Sequence, residues 1–324
     1  MMKILLKKIK QRIKIQIVLF LQRHRIYILR NGDENFITHW LRPKKTDNVY
    51  AGCSSPEIRN VGIVIQGPLR LKNDFTFETA KLYRKYYPNC EIILSTWEDE
   101  DEQYTNKFSD LGVRVVRSKI LPENLRKFTS VNQQRETSLA GIKMAKDLGC
   151  EYIVKTRTDQ RFYSPSTVQL LLKMLDLYPL KDDISSAQKR IIVCSSGTFS
   201  NRLYHMSDFF LFGTVHDMER YFSCPLDERD HKKLTFYEDQ MKNSINRICE
   251  IWLTSHYLEL CGNELKWTKE DSDNLRNDYF IVIDNEMIDL FWDKYMPLEY
   301  RYRDYLNQVP LEPVTFTDWL LDQK

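Results

Sequence analysis

A chain of 324 residues, 42% hydrophobic and 29% charged, is long enough to bury a large core and too balanced in composition to be disordered or fibrous. Its net charge of +3 conceals an asymmetry: residues 1–30 hold nine Lys or Arg and no acid, so the remainder carries −6 (+3 less +9), which speaks against a nucleic-acid surface on the body. Glycine is scarce (10), and the seven cysteines are widely spaced with no Cys-x-x-Cys pair; a glycine-rich nucleotide loop, a zinc ribbon and a disulfide framework are poor readings, and reduced thiols in a cytosolic protein are expected.

In chain order, residues 1–30 place Leu6, Ile9, Ile13, Ile17 and Phe20 on one helical stripe flanked by Lys3, Lys7, Lys10 and Lys14, the pattern of a basic amphipathic helix that lies on an anionic membrane surface. Packing of that stripe on the body is the alternative. The apolar run Ile17 to Leu21 is too short to span a bilayer, which takes about 20 residues, and no small-residue cleavage site marks a signal peptide. Residues 31–59 are rich in turn formers and read as a linker or lead-in. Residues 60–324 read as one domain.

From Val61 strands and helices alternate. Val61 to Ile65 is an apolar β-branched strand ending at Gln66-Gly67-Pro68; Thr76 to Tyr86 is a helix; Glu91 to Trp97 is a strand; the acidic run Glu98 to Glu102 opens a helix; Val113 to Arg117 is a strand. The stretch Val131 to Phe162 then supplies a long helix, with Leu139, Ile142, Ala145 and Leu148 three apart and Gly149 as a stop signal, and a strand from Tyr152 that ends in the cluster Arg157 to Arg161. A helix from Ser164, a strand Ile191 to Cys194, a strand headed by Asp208, a charged loop Cys224 to Lys233 and a helix Phe236 to Cys261 with Glu238 and Asp239 in its first turns follow. Such alternation predicts an α/β fold with a mostly parallel, doubly wound sheet, whose ligands sit outside the carboxyl ends of the strands. The tail is rich in aromatics, including Trp267, Tyr279, Phe280, Phe291, Trp292, Tyr295, Tyr300, Tyr302 and Tyr305, read as core, with sugar stacking as the alternative.

Three polar clusters therefore stand at strand ends or helix starts: Gln66-Gly67-Pro68, Arg157 to Arg161, and Glu238-Asp239. The runs VIQGPL, ILSTWE, VNQQRETSLAGIKMAKDLGCEYIVKTRTDQRF and SDFFLFG, in this order and spacing, resemble the WavE lipopolysaccharide-synthesis family from about Val61 to about Tyr295. That family is similar to GT-A glycosyltransferases, which share a Rossmann-like fold. The resemblance implies a transferase that takes sugar from a nucleotide-sugar donor to a lipid-linked or lipopolysaccharide glycan acceptor, or to capsule, at the inner face of the cytoplasmic membrane. Transfer of a sugar phosphate or alditol phosphate, and a non-catalytic scaffold, are the alternatives.

By that resemblance Gln66, Gly67, Pro68, Gln134, Arg135, Lys155, Arg157 and Asp159 are donor-binding, and Glu238, Asp239 and Asp208 are candidates for the base of an inverting reaction or for acceptor contact. Arg157-Thr158-Asp159 stands where an Asp-x-Asp metal motif would be, with arginine for the first acid. Either Asp159 contributes to a Mg²⁺ or Mn²⁺ site, or Arg157 and Lys155 offset the diphosphate charge directly.

Overall fold

Runs such as Val61 to Ile65 and Phe280 to Ile283 have no polar side to turn towards water, so they must be covered on both faces. A computed structural model describes residues 42–49, 54–126, 130–184, 186–230, 233–235, 237, 239–294 and 311–323, the backbone of 35–37 and 41, and the single positions Ile13, Gln16, Ile17 and Phe20. The elements in order are β1 (Asn35–Ile37), β2 (Leu41–Pro43), β3 (Val61–Gln66), α1 (Phe75–Tyr86), β4 (Glu91–Trp97), α2 (Glu102–Asn106), β5 (Arg114–Ser118), α3 (Val131–Asp147), β6 (Tyr152–Arg157), β7 (Gln160–Phe162), α4 (Thr167–Leu177), β8 (Ile191–Cys194), β9 (Leu211–Thr214), α5 (Val215–Phe222), α6 (Gln240–Asn243), α7 (Cys249–Leu260), α8 (Lys269–Tyr279), β10 (Phe280–Ile283), β11 (Leu290–Trp292) and α9 (Phe316–Leu321).

The central sheet has seven strands in the order β10-β8-β9-β6-β3-β4-β5. Six run parallel; β9 alone is antiparallel to its neighbours β6 and β8. The expected α/β class and mostly parallel sheet are what forms. Strands β3, β8 and β10 are buried at every position. Within this sheet the chain starts at β3, moves outward to β4 and β5, then returns through α3 to β6 on the other side of β3. Strand order reverses between β3 and β6, and a sheet of this kind opens its ligand crevice at that switch point. Helix α3 covers the crossover. Ser95 donates from its hydroxyl to the Thr137 carbonyl at 2.6 Å. A Cβ on Gly141 would come within 2.4 Å of Val64, so only glycine lets the helix approach this closely.

A small second sheet pairs β7 with β11 in antiparallel register, Arg161 opposite Phe291. It carries the chain from the end of β6 to the aromatic tail. The Arg157 to Arg161 cluster is divided by this turn. Arg161, the last residue of that polar cluster, is 1% exposed. It donates to Thr79 Oγ1 (2.8 Å), the carbonyls of Lys44 and Phe75 (both 2.9 Å) and the Tyr163 hydroxyl (3.0 Å). It thereby ties α1, β7 and the lead-in together. Part of that lead-in is docked as well: the Thr46 amide donates to Glu78 at 2.7 Å.

Two further expectations are corrected. The helix expected over Phe236 to Cys261 is broken: α6 is one turn, Arg247 takes φ 44°, and α7 begins only at Cys249. The strand headed by Asp208 begins three residues later, at Leu211. Of the N-terminal segment only Ile13, Gln16, Ile17 and Phe20 are described, all helical and exposed; the rest of the amphipathic helix expected over 1–30 lies outside the described residues. Among the described residues no helix is long and apolar enough to cross a membrane. Tyr279, Phe280 and Phe291 are core, as expected, while Tyr295, Tyr300, Tyr302 and Tyr305 lie outside the described residues.

Candidate active site

Parallel pairing of β3 with β6 sets Gln66 opposite Arg157, so the first two polar clusters meet at the switch point. Their loops are stitched by the backbone: the Thr158 amide donates to the Gln66 carbonyl at 3.0 Å, and its hydroxyl donates to the Pro68 carbonyl at 2.6 Å. Gly67 adopts φ 116°, a region closed to side chains, and its carbonyl accepts from Thr96 at 2.9 Å. Gln66 is buried and its Oε1 accepts from Thr137 on α3 at 2.7 Å. The Gln66 side chain is thus occupied in positioning the strand end, while Pro68 is exposed.

Because β9 runs against the other strands, the residues before it arrive at the same carboxyl edge. That direction is what brings Asp208 to the site. The Asp208 carbonyl accepts from Gln134 Nε2 at 2.8 Å and from the Lys155 ammonium. Its carboxylate accepts from the Cys249 thiol at 3.2 Å. Asp208, Cys249 and Glu250 bring their ligand atoms within 4.8 Å of one another, close enough to share one cation, and Lys155 is buried beside them. Burial, then the Asp208 charge, push the Cys249 thiol well above its usual pKa. His205, 3.7 Å from Glu250, is held neutral by burial, which lowers its pKa to about 3. Neither Cys249, Glu250 nor His205 has a spacing signal in the sequence that points here.

Lys155 is fully enclosed. Burial lowers its pKa to about 7, against the opposing pull of Asp208. The folded protein therefore holds this proton less tightly than the unfolded chain, where lysine titrates near ~10.4. Between about pH 7 and pH ~10 the unfolded chain binds more protons, so stability rises with pH across that window. Lys155→Met is expected to flatten this rise in urea midpoints measured through the window; an unchanged slope would assign it to another group.

At the turn, Arg157 Nε and Nη2 reach the two carboxylate oxygens of Asp159 at 2.9 and 3.2 Å. Burial pushes the Asp159 carboxyl up, but the charge and hydrogen bonds of Arg157, with help from Trp292, outweigh it and hold the pKa below its usual value. The Arg157 guanidinium also lies over the Trp292 ring, 5.4 Å from its centroid. This arrangement does not fit a divalent ion on Asp159. Such an ion wants several oxygen ligands, and here a single, enclosed carboxylate spends both oxygens on a guanidinium.

Two of the remaining expected residues make contacts of their own. Arg135 donates to the Cys224 carbonyl, just beyond the end of α5, at 2.7 Å and pairs with Glu136. Asp239 is exposed and caps α6, accepting from the amides of Met241 and Lys242 at 3.0 and 3.3 Å. Glu238 lies outside the described residues. Two surface cavities, about 420 and 300 Å³, open at the opposite, amino-terminal edge of the sheet, around Tyr152 and His216 and around Asn60 and Glu91; neither touches the site residues.

The chain has likenesses among solved structures. They include a protein from Desulfovibrio desulfuricans provisionally described as a nucleotide-diphospho-sugar transferase (TM-score 0.35, 10% identity, covering 70% of this chain and 80% of that one). Others are a cytidylyltransferase from Leptospira borgpetersenii (TM-score 0.35, 13% identity, 78% and 96%) and TarS from S. aureus (TM-score 0.33, 11% identity, 57% and 33%). At these scores they decide nothing about the chemistry. A search of curated protein sequences gave no significant match. The family of WavE lipopolysaccharide synthesis matches residues 61–296, a span from the first residue of β3 to just beyond β11 that contains every candidate residue above, and the chain belongs to that family.

Proposed function

We propose that the protein is a glycosyltransferase, which moves a sugar from a nucleotide-sugar donor to a bacterial surface glycan, either lipopolysaccharide core or capsule. The observation that carries this reading is the convergence of Gln66, Gly67, Lys155, Arg157, Asp159 and Asp208 on the carboxyl edge where strand order reverses. A leaving nucleoside diphosphate needs positive charge placed in advance, and the turn after β6 holds a guanidinium in place before any ligand arrives. The deciding measurement is the nucleotide product from a panel of nucleotide sugars with a glycan acceptor. Free nucleoside diphosphate supports sugar transfer; nucleoside monophosphate would favour the sugar-phosphate alternative.

An inverting reaction needs a base for the acceptor hydroxyl, and Glu238, Asp239 and Asp208 are the candidates. Asparagine caps a helix about as well as aspartate, so Asp239→Asn tests chemistry rather than folding. Glu238→Gln or Asp239→Asn is expected to lower turnover by about 10²–10⁴-fold, the usual worth of a general base. Near-normal rates in both would remove them from the reaction.

Residues 1–30, with nine cationic side chains and no acid, support peripheral attachment to an anionic membrane where a lipid-linked acceptor resides, each cation near the surface contributing about 1 kcal/mol. Full-length protein is expected to sediment with anionic liposomes and to be partly released by salt; liposomes that leave it in the supernatant at low salt would refute attachment.

A further inference from the structure

The loop after β3 brings a second arginine to the turn after β6. Thr76 donates from its hydroxyl to the Thr158 carbonyl at 3.0 Å and accepts the amide of Arg70 at 2.9 Å. Together with the two bonds from Thr158 to Gln66 and Pro68, this anchors the Arg70 backbone beside the Arg157 turn. Each arginine is held by an acid through its Nε and Nη2. Arg70 places Nη2 and Nε at 2.8 and 3.3 Å from one carboxylate oxygen of Asp293, whereas Arg157 grips both oxygens of Asp159 through the same two nitrogens. The two acids adjoin: the Asp293 amide donates to the Asp159 carbonyl at 2.8 Å.

Exposure divides each pair the same way. The Asp293 and Asp159 side chains are 4% and 8% exposed, those of Arg70 and Arg157 41% and 22%. An ordinary surface ion pair leaves both partners wet. Here the carboxylates sit behind and the guanidiniums in front, which fixes the planar forks without burying them. Two arginines oriented this way suit a ligand that carries more than one negative charge on neighbouring tetrahedral groups, since guanidinium matches phosphate oxygens with paired donors.

We propose that Arg70 and Arg157 form a two-guanidinium clamp for a diphosphate, in place of the metal an Asp-x-Asp turn would hold, with Asp293 and Asp159 as positioning residues. The identity of that diphosphate as part of a nucleotide-sugar donor rests on the function proposed above; the clamp itself rests on the paired geometry. Arg70 lies four residues beyond Gln66, past the strand-end motif, and carries no signal of its own in the sequence.

The test is calorimetric binding of inorganic pyrophosphate, and of UDP, GDP and CDP, to the full chain in EDTA. Wild-type protein is expected to bind pyrophosphate without metal. Arg70→Met and Arg157→Met should each weaken it roughly tenfold or more, the loss of a charge-assisted pair. Arg70→Lys should recover only part, because a point charge does not reproduce the fork. Asp293→Asn keeps the Arg70 charge and should still weaken binding, which a purely electrostatic role for Arg70 would not produce. Thermal melts check that each variant folds; the open position of Arg70 keeps the test available even if Arg157→Met does not. Unchanged affinity in both Met variants, binding that EDTA abolishes and Mn²⁺ restores, or no pyrophosphate binding by wild-type protein would each overturn the clamp. Arginine-dependent pyrophosphate binding with no nucleoside diphosphate binding more tightly would uphold the clamp and overturn the donor reading instead.

Discussion

Asp159→Asn is expected to reduce sugar transfer by at least about 10²-fold while leaving the protein folded. The carboxylate spends both oxygens on Arg157 and sits at the one turn where β3, β6 and the small sheet meet. Replacing one charged oxygen by an amide nitrogen removes half of that grip and turns a donor towards a donor. The guanidinium then rotates away from the position in which it offsets charge on the leaving group, and loss of one preorganised electrostatic contact costs about 10²–10³-fold in turnover. Folding should survive, because Arg157 is open enough to turn its charge into water. Product release by the variant, with its melting temperature alongside, checks both halves. A fully active Asp159→Asn protein would remove the turn from the chemistry.

Arg161→Met is expected to act in the opposite sense, through stability rather than through the reaction. The side chain is enclosed, and its guanidinium satisfies the carbonyls of Lys44 and Phe75, the Thr79 hydroxyl and the Tyr163 hydroxyl. It also lies over the Phe75 ring, 4.5 Å from the centroid. Methionine fills much of the volume but donates nothing. Two buried carbonyls lose a partner, at about 1–3 kcal/mol each, and the packing over Phe75 is lost as well. A decrease of about 3–5 kcal/mol in unfolding free energy follows, measurable as a large fall in urea midpoint. A shift below about 1 kcal/mol would mean that water or relaxation replaces those bonds. The two neighbouring arginines thus separate: Arg157 stands partly open at the turn and Arg161 is enclosed and holds the elements around it, although both stand in one polar run of five residues.

Local pattern was enough for much of the frame. An apolar β-branched run such as Val61 to Ile65 or Ile191 to Cys194 has few conformations open to it besides a covered strand, and three-apart Leu139, Ile142 and Ala145 mark the packed face of α3, whose ends fall where Gly149 predicts. The meeting of Gln66 with Arg157 was legible too, because strands of a parallel sheet deliver their ends to one edge. Strand direction was not. Nothing in Leu211 to Thr214 states that it runs against its neighbours, yet that reversal alone delivers Asp208 to Lys155 and Gln134. The strand β10 was hidden among aromatics read as generic core, and the break at Arg247 was hidden by a continuous helical pattern on both sides of it. Side-chain partners were hidden for the same reason. Arg70 and Asp293 are 223 residues apart, Cys249 and Asp208 are 41 apart, and no local spacing encodes such pairs. Sequence by itself determined which segments must be buried strands and helices, because burial follows from the apolar period. Only the tertiary structure decided which charges face each other across the site, because that depends on strand order, strand direction and the small β7–β11 sheet, and these are settled by long-range packing.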